Sequence, residues 1–321
     1  MNRTWAGLAL ATWAGLAACN HLTGGDLIRD LLDLNRLRRL ALERLDQRWA
    51  QARKSSLIAC LTTLPSRLPH LHWTLKSLLA QDPVPARIRL HLPEHSRREQ
   101  VAYRLPEWLT CLRSVELVRC PDLGPATKLL PALDLPERTP LLVVDDDRLY
   151  PPGFLAHLER FDSRATGLSG WRVPSDLTDR PTTLWSNLAG LPPTPLKCSR
   201  LRKPVRIDVL QGFSGYRVEP GYFGPEVHDY SHAPEAAFYV DDVWISAHCR
   251  SERWVEPFAR FPIQHPILAD LYRQTSLGRV NSGQGNNERR ANTIMIRHFR
   301  GRWLAAFPIE RARDSSSRGT P

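Results

Sequence analysis

The most constraining stretch of the chain is Leu141-Leu142-Val143-Val144, followed at once by Asp145-Asp146-Asp147. A wholly apolar run of this length predicts a strand covered on both faces, as central strands of parallel sheets are. In open α/β sheets, ligands bind outside the carboxyl ends of such strands. Three adjacent carboxylates there repel one another unless something positive neutralises them. A hard divalent cation with oxygen ligands does so, and it can bridge to substrate phosphates. A polar turn is the plainer reading, since aspartates often begin loops. A turn does not, however, require three in succession after four apolar residues.

The flanking segments alternate. Leu57–Leu64, Arg87–Leu92 and Val115–Val118 read as strands, and Cys60 within the first reads as a buried small hydrophobe. Leu68–Ala80 reads as a helix with Leu71, Leu75, Leu78 and Leu79 on one face. Glu99–Cys111 reads as helical with a break at Pro106, Pro125–Leu133 as a short helix or turn, and Pro152–Asp162 as a helix. This alternation predicts βαβ units and a mostly parallel sheet. After residue 163 prolines and tryptophans crowd the chain, which predicts a loop-rich half with ordered islands at Val209–Val218 and after Phe238. Gly278–Asn287 reads as a mobile loop and Ser315–Pro321 as a frayed tail.

At ~150 residues per domain, 321 residues make about two domains or one large one. With 42% hydrophobic and 24% charged residues, wholesale disorder is excluded. The net charge is +11, carried by 39 arginines and only five lysines. Arginine suits bidentate contact with phosphate and carboxylate, though genomic base composition accounts equally for most of these. The charges are scattered and no nucleic-acid motif is present, so no nucleic-acid partner is expected. Six cysteines without a CxxC pair read as reduced thiols.

Thr4 to Gly25 carry no Asp, Glu, Lys or Arg. Three readings are open: a signal with a short apolar core, a weak membrane anchor, or a helix packed on the rest of the protein. Leu16-Ala17-Ala18-Cys19 resembles a lipoprotein cleavage site, with acylation at Cys19 as its consequence. Membrane contact has a slight edge over the packed helix. From Leu27 to Trp49 apolar residues recur at helical spacing, with Arg and Asp on the other face. This is a surface helix or a basic stem lying near anionic lipid.

Further segments carry chemistry. Phe238-Tyr-Val-Asp241-Asp242-Val-Trp244-Ile-Ser246 sets two carboxylates at a helix start. There they either complement the helix dipole or supply a general base. Gly212-Phe-Ser214-Gly215 suggests close backbone approach to a ligand or another strand. Thr62-Thr63-Leu-Pro-Ser-Arg67 follows the first strand, where a nucleotide commonly docks. Lys128, after Gly124-Pro-Ala-Thr, either meets a phosphate or is a solvated surface lysine.

Taken in order, these five motifs resemble a GT-A fold glycosyltransferase. The likeness is greatest to the glycosyltransferase family 2-like group, with fringe-type similarity in the last two motifs, and it covers roughly residues 57 to 250. The resemblance implies an α/β GT-A catalytic domain over 56–307, a mostly parallel central sheet flanked by helices. An apolar segment at 1–25 and a helical stem at 26–55 would precede it, and a flexible tail at 308–321 would follow. It implies a nucleotide-diphosphate-sugar donor, Mn²⁺ or Mg²⁺, and a glycan, lipid-linked or protein acceptor.

By that likeness Asp147 is the direct metal ligand, with Asp145 near the ribose or sugar and also at the metal. His298, with His265 second, would complete the metal site. Thr62, Thr63, Arg67, Lys128, Asp145 and Asp146 would bind the nucleotide. Asp241 or Asp242 would be the base, giving inversion, and Gly212, Ser214, Gly215 and Trp244 would line the acceptor side. The loop at 278–287 would close over the donor. Cytosolic nucleotide sugar implies a cytoplasmic location, peripheral or anchored at the membrane, and counts against acylation at Cys19. A metal-dependent nucleotidyltransferase and a non-catalytic polyanion-binding protein are the competing readings; no GxxxxGK[ST] loop is present.

Overall fold

The computed structural model describes residues 3–278 and 280–304, so the expected tail at 308–321 lies outside the described residues. Eight strands form the central sheet: β1 (Ile58–Leu61), β2 (Arg87–Leu92), β3 (Val115–Arg119), β4 (Leu141–Val143), β5 (Ala165–Gly167), β6 (Val205–Ile207), β7 (Tyr216–Val218) and β8 (Arg253–Val255). Their order is β6-β8-β5-β7-β4-β1-β2-β3. The pairs β4/β1, β1/β2, β2/β3 and β5/β8 are parallel. The expected α/β sheet is therefore mostly parallel, with β7 and β6 running against their neighbours. Leu141, Leu142, Val143 and Val144 are fully buried. At about 1.5–3 kcal/mol for each such side chain, this run holds β4 in the centre.

The half after residue 163 is less loop-like than its composition suggests, for it contributes β5, β6, β7 and β8. Their strands are only three residues long, too short to show periodicity, and they persist because the sheet covers them.

Three helices precede the sheet: α1 (Arg3–Thr23), α2 (Leu27–Arg39) and α3 (Leu42–Gln51). The single helix expected over 27–49 is broken at Leu40, whose backbone is extended (φ −86°, ψ 129°). Asp26 opens α2, its carboxylate accepting from the Arg29 N–H at 3.2 Å. The faces of α2 also differ from expectation. Leu34 and Leu37 pack on Leu149 and Ile263, but Leu27 and Leu31 are exposed, and Asp30 is buried instead. Asp30 and Asp33 both accept from Arg260, at 2.8 and 2.7 Å. In α3, buried Asp46 accepts from the N–H groups of Arg113 and Ser114 and so fixes the start of β3. No helix among the described residues is long and apolar enough to cross a membrane.

The remaining helices are α4 (His72–Leu79), α5 (Glu107–Thr110), α6 (Phe154–Leu158), α7 (Leu184–Ala189), α8 (Asp241–His248), α9 (Ala269–Gln274) and α10 (Ala291–His298). The helix expected over Glu99–Cys111 is a two-residue hairpin (His95–Ser96 with Val101–Ala102) followed by α5. Pro106 is the N-cap of α5, where a missing N–H costs nothing.

Candidate active site

The carboxyl ends of parallel β1 and β4 open into a cleft of about 440 Å³. Thr62, Thr63 and Arg67 reach it from β1, and Asp145, Asp146 and Asp147 from β4. Antiparallel β7 begins where β4 ends, since Tyr216 pairs with Val143. This register delivers Gln211 to Gly215 beside Asp145, and α8 brings Asp241 and Asp242 to the same place. Ser246 of α8 accepts from the Leu210 N–H at 3.0 Å and ties the helix to that segment.

Lys128 stands at the centre. It is buried, with its ammonium 2.7 Å from Asp145 Oδ1 and 2.8 Å from Asp241 Oδ2. The second contact is an ion pair without hydrogen-bond alignment. Burial would lower the Lys128 pKa, but the charges of Asp145, Asp241 and Asp242 outweigh it and hold it well above the usual lysine value. Gly212 makes this packing possible, because a Cβ there would fall on the Lys128 ammonium. The Gly212 N–H donates to Asp242 Oδ1 at 2.9 Å. Burial, and then the charge of Asp241, push the Asp242 carboxyl up to about 8, with Lys128 opposing.

The other two aspartates of the triplet point elsewhere. Asp146 is buried, accepting from the Thr63 hydroxyl and, at 2.9 Å, from Arg67 Nη1. Burial raises its pKa against the pull of Arg67. Asp147 Oδ2 accepts from Gln264 Nε2 at 3.0 Å, and its Oδ1 is 3.4 Å from Arg148 Nε. Asp147 Oδ1 is buried without a hydrogen-bond donor. Thr74 of α4, 2.7 and 2.8 Å from the carbonyls of Asp146 and Arg148, anchors the loop backbone.

These contacts test the fit of a divalent cation. Among the described residues no three His, Cys, Asp or Glu side chains converge on a point that could hold one. A cation bound by protein alone therefore does not fit. One shared with a ligand's phosphates needs only one or two carboxylates, and the undonated Oδ1 of Asp147 meets that requirement.

Arg67 also reaches the far wall, donating to Thr275 Oγ1 at 2.8 Å and to the Thr275 carbonyl at 3.1 Å. Arg98 donates to the same carbonyl. Leu277, Gly278 and Asn281 line the cleft, and Asn281 donates to the Tyr239 carbonyl at 3.1 Å. The expected loop is thus folded into 3₁₀ turns at Val280–Gly285 and Asn287–Arg289.

Five expected site residues are elsewhere. Trp244 is buried in the core, stacked on Tyr230 at 4.2 Å and donating to the Val227 carbonyl. It lies on the inward face of α8, one turn from the carboxylates. Ser214 is fully buried and donates to the Gln211 carbonyl. Gly215 has φ +82°, and a Cβ there would strike Phe154, so its role is steric. His298 is exposed at the end of α10, against Phe299 and outside the cleft lining. His265 is buried against Trp73 at 4.4 Å and also outside the lining. Sequence reasoning missed Arg98, Gln211, Gln264 and Thr275. Gln211 lies within the expected ordered segment Val209–Val218 and directly precedes Gly212, and Gln264 neighbours His265; Arg98 and Thr275 carried no signal.

No family model matches the sequence, and no curated protein matches it. Among solved structures, 4-diphosphocytidyl-2C-methyl-D-erythritol synthase aligns over 70% of this chain and 98% of its own, with 14% identity and TM-score 0.37. Residues 1–349 of S. aureus TarS align over 71% of this chain with 14% identity and TM-score 0.38, and this chain spans 64% of that one.

Proposed function

We propose that this cleft binds a nucleotide-diphosphate sugar and transfers the sugar, with inversion, to an acceptor hydroxyl, as a GT-A glycosyltransferase does. The carrying observation is that Asp145, Asp241 and Asp242, carboxylates from two distant segments, meet around one buried lysine in a cleft that Asp146 and Asp147 also line. Asp242 is the base in this reading. It is less buried than Asp241, and its carboxyl, raised to about 8, suits proton abstraction near neutral pH. Asp241 is paired with Lys128 and positions it. Arg67, Arg98 and Arg148 give the cleft positive charge for a diphosphate. Mn²⁺ or Mg²⁺ at Asp147, bound together with donor phosphates, would stabilise charge on the departing diphosphate. The loop around Asn281 excludes water.

Calorimetric titration of UDP, GDP and CDP, with and without Mn²⁺, tests this reading, with Asp147→Ala run in parallel. Cation-dependent binding of one nucleotide, lost in the variant, is expected. Absence of binding under every condition sinks the donor site. Release of pyrophosphate from a triphosphate and sugar phosphate would move the reading to a nucleotidyltransferase.

A further inference from the structure

Twelve large hydrophobic side chains are exposed among the described residues, and nine of them belong to α1, α2 and the α7 segment. Leu27, Ile28, Leu31 and Leu32 cover the outer side of α2 and are 42–64% exposed. Leu184, Trp185, Leu188 and Leu191 do the same around α7, with Trp185 80% exposed, and Trp13 of α1 is 68% exposed. These segments are far apart in sequence but adjoin through the end of α1. His21 Nε2 is 2.8 Å from the Leu188 carbonyl, and Asn187 donates to the Leu22 carbonyl. Asn20 Oδ1 accepts from the Leu27 N–H. Lys197 and Arg200 donate to the last carbonyls of α1, holding the helix end to the sheet domain.

Charge selects the occupant. The acidic side chains of α2, Asp30 and Asp33, turn inward onto Arg260. Its outer side carries Arg29, Arg38 and Arg39, exposed beside the leucines, while Arg36 donates to the Ala80 carbonyl. An apolar face rimmed by arginine, with indoles at its edge and Asp26 at the helix start as its one acid, paired with Arg29, matches the interfacial zone of a bilayer containing anionic lipid. We infer that α1, α2 and the α7 segment form one composite surface that docks peripherally on an anionic membrane. Leu34 and Leu37, on the inner side of α2, pack against the strand pair Arg148–Leu149 and Ile263–Gln264, which carries the Asp147 partners. Docking there would leave α2 and this strand pair between the lipid and Asp147.

The test is co-sedimentation of the full chain with phosphatidylcholine vesicles, with and without phosphatidylglycerol, read without nucleotide. It is thereby independent of the proposed catalysis. Binding to the mixed vesicles, weakened by salt, is expected. Trp185→Glu and Leu32→Glu, each made singly, are expected to reduce it about tenfold or more. Ile294→Glu, at an exposed position of α10 outside this face, is expected to change nothing. Unaltered melting temperatures separate loss of docking from loss of fold. The inference is overturned if the wild type ignores both vesicle types or the two variants bind like wild type. It is equally overturned if light scattering shows a dimer that Trp185→Glu dissociates, for the face would then belong to a second copy.

Discussion

The cleft holds two groups of carboxylates whose surroundings differ. Asp145, Asp146 and Asp147 follow a strand, and their side chains diverge to different partners: Lys128, then Arg67 with Thr63, then Arg148 with Gln264. Asp241 and Asp242 open a helix and have far less. They share the influence of Lys128 and the Gly212 N–H. In each group burial raises one carboxyl, Asp146 against the pull of Arg67 and Asp242 against that of Lys128. Charges that are crowded and undermatched hold protons more tightly, which is what a base working near neutral pH requires. Under the proposed function the same side-chain chemistry would divide into binding and proton transfer through the partners that each group receives.

The largest effect that would break this division is on transfer rate. Asp242→Asn is expected to lower kcat by about 10²–10⁴ while nucleotide binding persists. A greater loss in Asp241→Asn would exchange the two roles. The pH dependence follows in sign. The base form of Asp242 is lost below its raised value, so the rate climbs as pH rises through about 8. Stability runs the other way. The folded state holds this proton more firmly than the unfolded chain, so stability contributed by the group falls as pH rises from the ordinary carboxylate range toward 8. Asp242→Asn is expected to flatten both slopes, read from rate profiles and from melting temperature against pH.

Next in size is Lys128→Met. It leaves Asp145, Asp241 and Asp242 without their shared cation and is expected to cost about 3–5 kcal/mol in denaturant unfolding. A loss below about 1 kcal/mol would mean that the carboxylates find other partners, and the contrast between the two groups would weaken.

The smallest effects sharpen the site's boundary. His298→Ala is exposed and outside the cleft, and its transfer rate is expected to remain within about twofold of wild type. A large fall in cation affinity in that variant would return His298 to the site. Trp244→Phe is expected to lower the melting temperature by several degrees with kcat nearly unchanged, because its indole is in the core and loses the bond to Val227.

Much of the first half was legible in the chain itself. Leu141–Val144 is apolar enough to have one destination, a strand covered on both sides, so Asp145–Asp147 follow at its carboxyl end, where the cleft opens. Thr63 and Arg67 follow by the same logic from β1. Tertiary structure decided the rest. Nothing local distinguishes Lys128 from a surface lysine; burial between Asp145 and Asp241 comes from strand register and the missing side chain at Gly212. Nothing local showed that Trp244 faces inward while Asp242 faces the cleft. The turned face of α2 also depends on a partner 230 residues away, Arg260, which draws Asp30 inward and leaves the leucines outside. Periodicity and charge act over a few residues and determine what a segment prefers. Which preferences prevail depends on long-range pairing, where burying a charge beside its counter-charge outweighs exposing a few leucines.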